Sequence, residues 1–153
     1  MLKMINFISE SEYKQSVYPA LFEDEDIYNR MYAAISENNR GYKFAWQSDG
    51  IKPCVFEIRK NIFALGVDTN FAIVDLYTGR INMKICLNYF LFDIKIISDF
   101  LYVITELEII KIDKNQYEIV TRYDLPDIFE TIEMKDNIIF VKCMDGQSVL
   151  LDN

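Results

Sequence analysis

The chain has 153 residues, 51% of them hydrophobic and 26% charged, the makeup of a packed globular protein rather than a disordered tail. It is long enough to bury roughly 70% of its unfolded surface as a single domain over 1–153. Sixteen Lys and Arg against 24 Asp and Glu give a net charge of −8, which disfavours nucleic acid and anionic membrane as partners because each phosphate contact needs a cation.

In chain order, Met1 to Tyr13 lacks the apolar stretch and small-residue cleavage site of a signal peptide. Ser11 is an N-cap candidate for a short helix that ends near Pro19. A longer helix is expected over Asp24 to Glu37, where Ile27, Met31 and Ile35 recur every fourth residue. Glu23, Asp24, Glu25 and Asp26 stand at its start, favoured by the helix dipole. Asn38, Asn39 and Gly41 terminate it. Residues 1–41 therefore read as a helical N-terminal segment.

From Tyr42 the helical period disappears, and 42–153 reads as a β-hairpin region. Tyr42–Gln47 alternates, meets Ser48-Asp49-Gly50 as a hairpin turn, and continues into a strand over Ile51–Arg59, with Pro53 near its beginning. Runs rich in Ile, Val, Phe and Tyr follow. They are separated by turn signals at Asp68-Thr69-Asn70, Thr78-Gly79-Arg80, Lys114-Asn115-Gln116, Lys135-Asp136-Asn137 and Asp145-Gly146. The expected class is α+β and mainly β: short N-terminal helices, then an antiparallel meander of hairpins, open or in two layers.

A repeat runs through this region. Asn61–Leu65 leads to Ala72–Asp75, Phe100–Ile104 to Ile109–Asp113, and Asn137–Val141 to Ser148–Asp152, each copy closing on an aspartate. The spacing is that of a propeller blade, so residues 58–153 resemble β-propeller repeats of the WD40 or quinoprotein type. Closing a propeller typically takes at least four blades, and the chain has room for fewer than three.

The chemistry is defined by what is missing. There is no histidine, which removes Ser–His–Asp and Cys–His nucleophiles and His-ligated zinc. Cys54, Cys86 and Cys143 are widely spaced and read as buried thiols of a reduced, cytoplasmic protein. No glycine-rich phosphate loop is present. Asp24-x-Asp26 and Asp113-x-Asn115 begin like calcium loops but lack the later Gly and Glu. The expectation is a non-enzyme without cofactor or metal.

Charge is concentrated late: residues 101–153 carry five basic and eleven acidic groups, a net −6. Asp124, Asp127, Glu130, Glu133 and Asp136, with Asp145, are the candidates for an acidic docking surface. Glu23 and Asp24 extend it, and Tyr28 and Tyr32, one turn apart on the expected helix, are candidate anchors. In size, acidity and lack of catalytic groups the chain resembles bacterial immunity proteins of the contact-dependent growth inhibition and colicin type. That resemblance implies an antitoxin: a stoichiometric inhibitor that covers the cationic active site of a basic toxin, a nuclease domain. The alternative is a general interaction or assembly module that pairs through exposed strand edges and self-associates.

Overall fold

The computed structural model describes residues 5–22, 29–47 and 50–151. The chain divides into two compact units, 1–87 and 88–153. Each contains a three-stranded and a four-stranded antiparallel sheet.

In the first unit, β1 (Ile5–Ile8), β2 (Met31–Glu37) and β3 (Arg40–Trp46) pair in sequence order. The expected helix over 24–37 is thus not observed in 31–37, which form a strand; Glu23, Asp24 and Tyr28 lie outside the described residues. The cause is the turn. Asn38 and Asn39 both take positive φ (55° and 63°), the backbone of a two-residue hairpin turn whose twist matches its strands. That turn sets Met31 opposite Trp46, Ala33 opposite Phe44 and Ile35 opposite Tyr42. The apolar residues then alternate with period two rather than recurring every fourth position, and Ala33, Ile35, Phe44 and Trp46 are all buried.

The one helix among the described residues is α1, Glu10–Gln15. Its N-cap is Ser9 rather than Ser11. The Glu12 amide donates to Ser9 Oγ and the Ser9 amide donates to Glu12 Oε1, both at 3.1 Å, a reciprocal cap that Ser11 cannot make because its third residue on is Lys14. Lys43 Nζ on β3 donates to Tyr13 O at 2.9 Å and lies over the Tyr13 ring. The stretch after the helix then runs beside β3: the Lys43 amide donates to Pro19 O and the Leu21 amide to Lys43 O.

The other sheet of this unit is β4 (Cys54–Arg59), β5 (Ile62–Val67), β6 (Asn70–Asp75) and β7 (Arg80–Cys86), in that order. β3 and β4 belong to different sheets, so the hairpin expected across Ser48-Asp49-Gly50 does not form. β3 already has β2 on one edge and the Pro19–Leu21 stretch on the other. Phe44 and Trp46 from the first sheet and Phe63, Leu65 and Val74 from the second share one core with Leu21 and Leu76.

The second unit holds the same two kinds of sheet in the reverse order. β8 (Leu91–Ile97), β9 (Phe100–Thr105), β10 (Glu108–Asp113) and β11 (Ile119–Asp124) form a four-stranded meander; β12 (Phe129–Lys135), β13 (Ile138–Cys143) and β14 (Ser148–Leu151) form a three-stranded one. Tyr102, Ile104 and Ile109 pack with Ile139, Val141, Cys143 and Leu151. The three repeat copies correspond to β5–β6, β9–β10 and β13–β14. The closing aspartates cap the turns that follow them. Asp75 Oδ1 accepts from the amides of Tyr77 and Thr78, and Asp113 Oδ1 from those of Asn115 and Gln116. Each turns the chain into the next strand. The third, Asp152, lies outside the described residues. Of the three thiols Cys143 is buried, Cys54 half-buried and Cys86 exposed.

Burial, and secondarily the neighbouring Tyr123, pushes the Tyr102 hydroxyl up to about 12. A group whose folded pKa is raised keeps its full stabilising contribution below its unfolded pKa of ~10 and loses it as pH climbs through the folded value. Urea unfolding should therefore show stability falling between about pH 10 and pH 12, and Tyr102→Phe should flatten that fall while leaving stability near pH 8 little changed.

Candidate functional site

The charge asymmetry sharpens when counted by unit. Residues 1–87 carry ten basic and eleven acidic groups, and residues 88–153 carry six and thirteen, so the second unit holds −7 of the −8. A cationic partner would be drawn to this unit first.

One end of this unit is assembled from four segments tied by backbone hydrogen bonds. The Glu106 amide donates to Phe90 O at 3.0 Å, the Phe129 amide to Glu106 O at 2.9 Å, the Leu125 amide to Leu107 O at 2.9 Å, and the Met144 amide to Ile128 O at 2.7 Å. Beneath them the β9–β10 turn is locked by its own side chain. Thr105 Oγ1 donates to Glu108 O at 2.6 Å and accepts from the Glu108 amide at 3.0 Å. The Glu108 carboxylate is itself buried, at 4% exposure. Its Oε1 accepts from Arg122 Nη1 at 3.1 Å and from Asn88 Nδ2 at 3.5 Å.

On this platform stand apolar side chains that water does not favour: Phe90, Phe92, Ile128 and Met144 are 46%, 42%, 41% and 62% exposed. The Phe92 and Phe129 rings lie 6.4 Å apart. Two register irregularities put residues here. Pairing skips from Leu91 to Asp93 in β8 and from Phe129 to Thr131 in β12, so Phe92 and Glu130 are the extra residues of β-bulges. A bulge re-aims a side chain out of the pleat, and Phe92 faces outward for that reason. Around the apolar group are the half-buried Glu106 and Asp127 and the exposed Asp124, Glu130 and Asp145. Hydrogen bonds from the Gln147 side-chain amide, then from its backbone amide, hold the Asp145 carboxyl below the usual carboxylate range, so its negative charge persists into acid.

The sequence candidates divide accordingly. Asp124, Asp127, Glu130 and Asp145 come together at this end. Glu130 is partly neutralised by Lys142 Nζ at 3.6 Å. Glu133 sits midway along β12 opposite Phe140, and Asp136 lies in the β12–β13 turn at the far end of the sheet, about 17 Å or more away along β13. Tyr32 belongs to β2 of the first unit, its hydroxyl donating to Asn29 O at 2.9 Å and its ring 5.2 Å from Tyr13. The apolar members were missed. Their signal is the broken alternation at Leu91-Phe92-Asp93-Ile94 and the polar neighbours of Met144.

Among the described residues no group of three or more His, Cys, Asp and Glu is placed to hold a metal, and no helix is long and apolar enough to cross a membrane. At the opposite end of the unit, Ile97, Ser98, Phe100, Tyr102, Met134 and Asn137 line an open pocket of about 210 Å³, below the ~300 Å³ at which ligand clefts begin.

No protein-family model matches the chain, and no curated protein is similar to it. Solved structures do resemble it. The dihydro-heme d1 dehydrogenase NirN, in complex with DHE, aligns with a TM-score of 0.50 at 16% identity, over 84% of this chain and 33% of that one. Kluyvelomyces marxianus Hsv2 aligns at 0.46 and 14% identity, over 79% and 45%, and the Neurospora crassa Pan2 WD40 domain at 0.44 and 8%, over 78% and 40%. This chain spans less than half of each. The likeness concerns the fold alone and accords with the propeller-like repeats; it does not extend to the immunity-protein resemblance.

Arg122 is the cation for the buried Glu108. Arg122→Ala should cost about 1–3 kcal/mol, less than for a fully buried pair because the Arg122 side chain is 40% exposed. Urea denaturation of the variant, with Arg122→Lys recovering part of the loss, measures it.

Proposed function

We propose that the second unit is a non-catalytic docking module for a basic protein, and that the chain acts as a stoichiometric inhibitor. The observation that carries this reading is the exposed Phe90, Phe92, Ile128 and Met144 group bordered by Glu106, Asp124, Asp127 and Asp145. An apolar centre within a charged rim is the anatomy of a protein interface. In such a surface the carboxylates steer a cationic partner and the aromatic and Met side chains supply affinity once water is excluded. In its finer form the partner is a toxin, a nuclease domain whose phosphate-binding cleft is itself cationic, and this chain covers that cleft as an immunity protein does. The absence of histidine and of a phosphate-cradling loop supports binding over turnover.

The test begins with capture of a partner by the tagged protein at low and high salt, followed by association kinetics with the purified partner. Phe92→Ala and Met144→Ala should each speed dissociation by about tenfold or more. Glu106→Lys and Asp127→Lys should slow association by about tenfold and flatten its salt dependence, whereas Glu133→Lys, away from this end, should do neither. Equal rates across all five proteins would remove the surface, and a captured partner whose activity survives saturation would remove the inhibitor reading.

A further inference from the structure

The strand edges of the described sheets are treated in two different ways. β4, β7, β8, β11 and β12 each carry at least two charged side chains, such as Glu57 and Arg59 on β4 or Asp93 and Lys95 on β8. Each also carries or borders a register irregularity. Charges and bulges are the devices that keep an edge from pairing with another chain. The free edge of β3 is covered by Pro19–Leu21. β14 has none of this. Ser148-Val149-Leu150-Leu151 is uncharged, pairs with β13 without a shift, and has no hydrogen-bonded neighbour on its other side among the described residues. β1 is the other uncharged edge, but it runs at once into α1, whose first turn carries Glu10 and Glu12.

The backbone of β14 is also set to pair. The Cys143 amide donates to Gln147 O at 2.9 Å, so by antiparallel alternation Val149 and Leu151 exchange hydrogen bonds with Val141 and Ile139. The N–H and C=O of Ser148 and Leu150 then point away from β13. Val149 and Leu151 face the core, while Leu150 is 60% exposed on the outer face.

We propose that β14 is the pairing edge for a second copy of this chain, β14 against β14 antiparallel across a two-fold axis, which joins two three-stranded sheets into one of six. Residues opposite each other in an antiparallel ladder share a face, so outward-bonding Ser148 and Leu150 of one edge meet those of the other, and the register centred on Leu150 sets the bulkiest outer-face side chain on the axis. Leu150 meets its own copy on the axis and exchanges both backbone hydrogen bonds with it, and Val149 meets Leu151. The edge is self-complementary in outward hydrogen bonds, in face and in lack of charge, which is what a second copy requires. This surface is separate from the docking end proposed above. Salt also tells the two apart: screening the repulsion between two −8 chains tightens the dimer, whereas it weakens capture of a basic partner.

Sedimentation equilibrium of the full chain over a wide concentration range should give twice the 18.1 kDa chain mass, with a dimer constant that tightens several-fold, roughly, as salt rises. Leu150→Pro removes an outward N–H and an exposed side chain, which an edge strand tolerates, and should reduce the mass to a single chain that keeps a folded β far-ultraviolet spectrum and melts independently of concentration. Leu150→Lys places two cations on the axis and should do the same, and it decides the matter if the proline variant fails to fold. A wild-type chain that stays at single mass throughout overturns the proposal. So does a folded Leu150→Lys protein that remains dimeric, or loss of the dimer in Phe7→Lys, on β1, but not in Leu150→Lys.

Discussion

The left-handed backbone at a few Asn, Asp and Ser residues is the constraint on which the sheets depend. Asn38 and Asn39, Asn61, Asp68, Ser98, and Asp136 and Asn137 all take φ between 52° and 69°, and each lies where one strand turns back into the next. A side-chain period of two means that a slip of one residue would carry every apolar group to the wrong face. The turns therefore decide that Phe44 and Trp46, or Tyr102 and Ile104, face a core. Asn and Asp accept this backbone conformation more readily than other non-glycine residues, which is how a chain with only five glycines makes so many tight hairpins.

Most of this was legible in the sequence beyond residue 50. The turns at Asp68, Gly79, Asn115, Asp136 and Gly146 lie where Gly, Asn and Asp interrupt Ile- and Val-rich runs, and the aspartate ending each of the first two repeats proved to be a turn cap. The N-terminal third was misread because Met31-Tyr32-Ala33-Ala34-Ile35 satisfies both periods. Met31 and Ile35 are one helical turn apart, yet Met31, Ala33 and Ile35 also alternate. The Asn-Asn pair that follows suits a helix terminator or a hairpin turn equally, and only pairing with Arg40–Trp46 decides between them. Two alanines, with Met31 and Glu37, favour a helix and weighted the local reading the wrong way.

The candidate site was half legible. Acidic residues announce themselves by charge, and four of them gather at one end of the second unit. Their apolar companions do not, because Phe92 reads as one more core residue until the bulge turns it out. The distance between Asp136 and Asp145 depends on which end of β13 each turn closes. That follows from strand order, which spacing in the sequence does not encode.

Pairing between sequence neighbours has a consequence for how the protein is made. From β2 onward every hydrogen-bonded strand pair joins consecutive strands, so loop closure costs little and contact order stays low for a β protein. A hairpin such as β9–β10 needs only residues already emerged from the ribosome, and each sheet can complete before the next is translated. β14 follows β4, β7, β8, β11 and β12 in the chain, so its uncharged edge emerges only after those charged edges have been made.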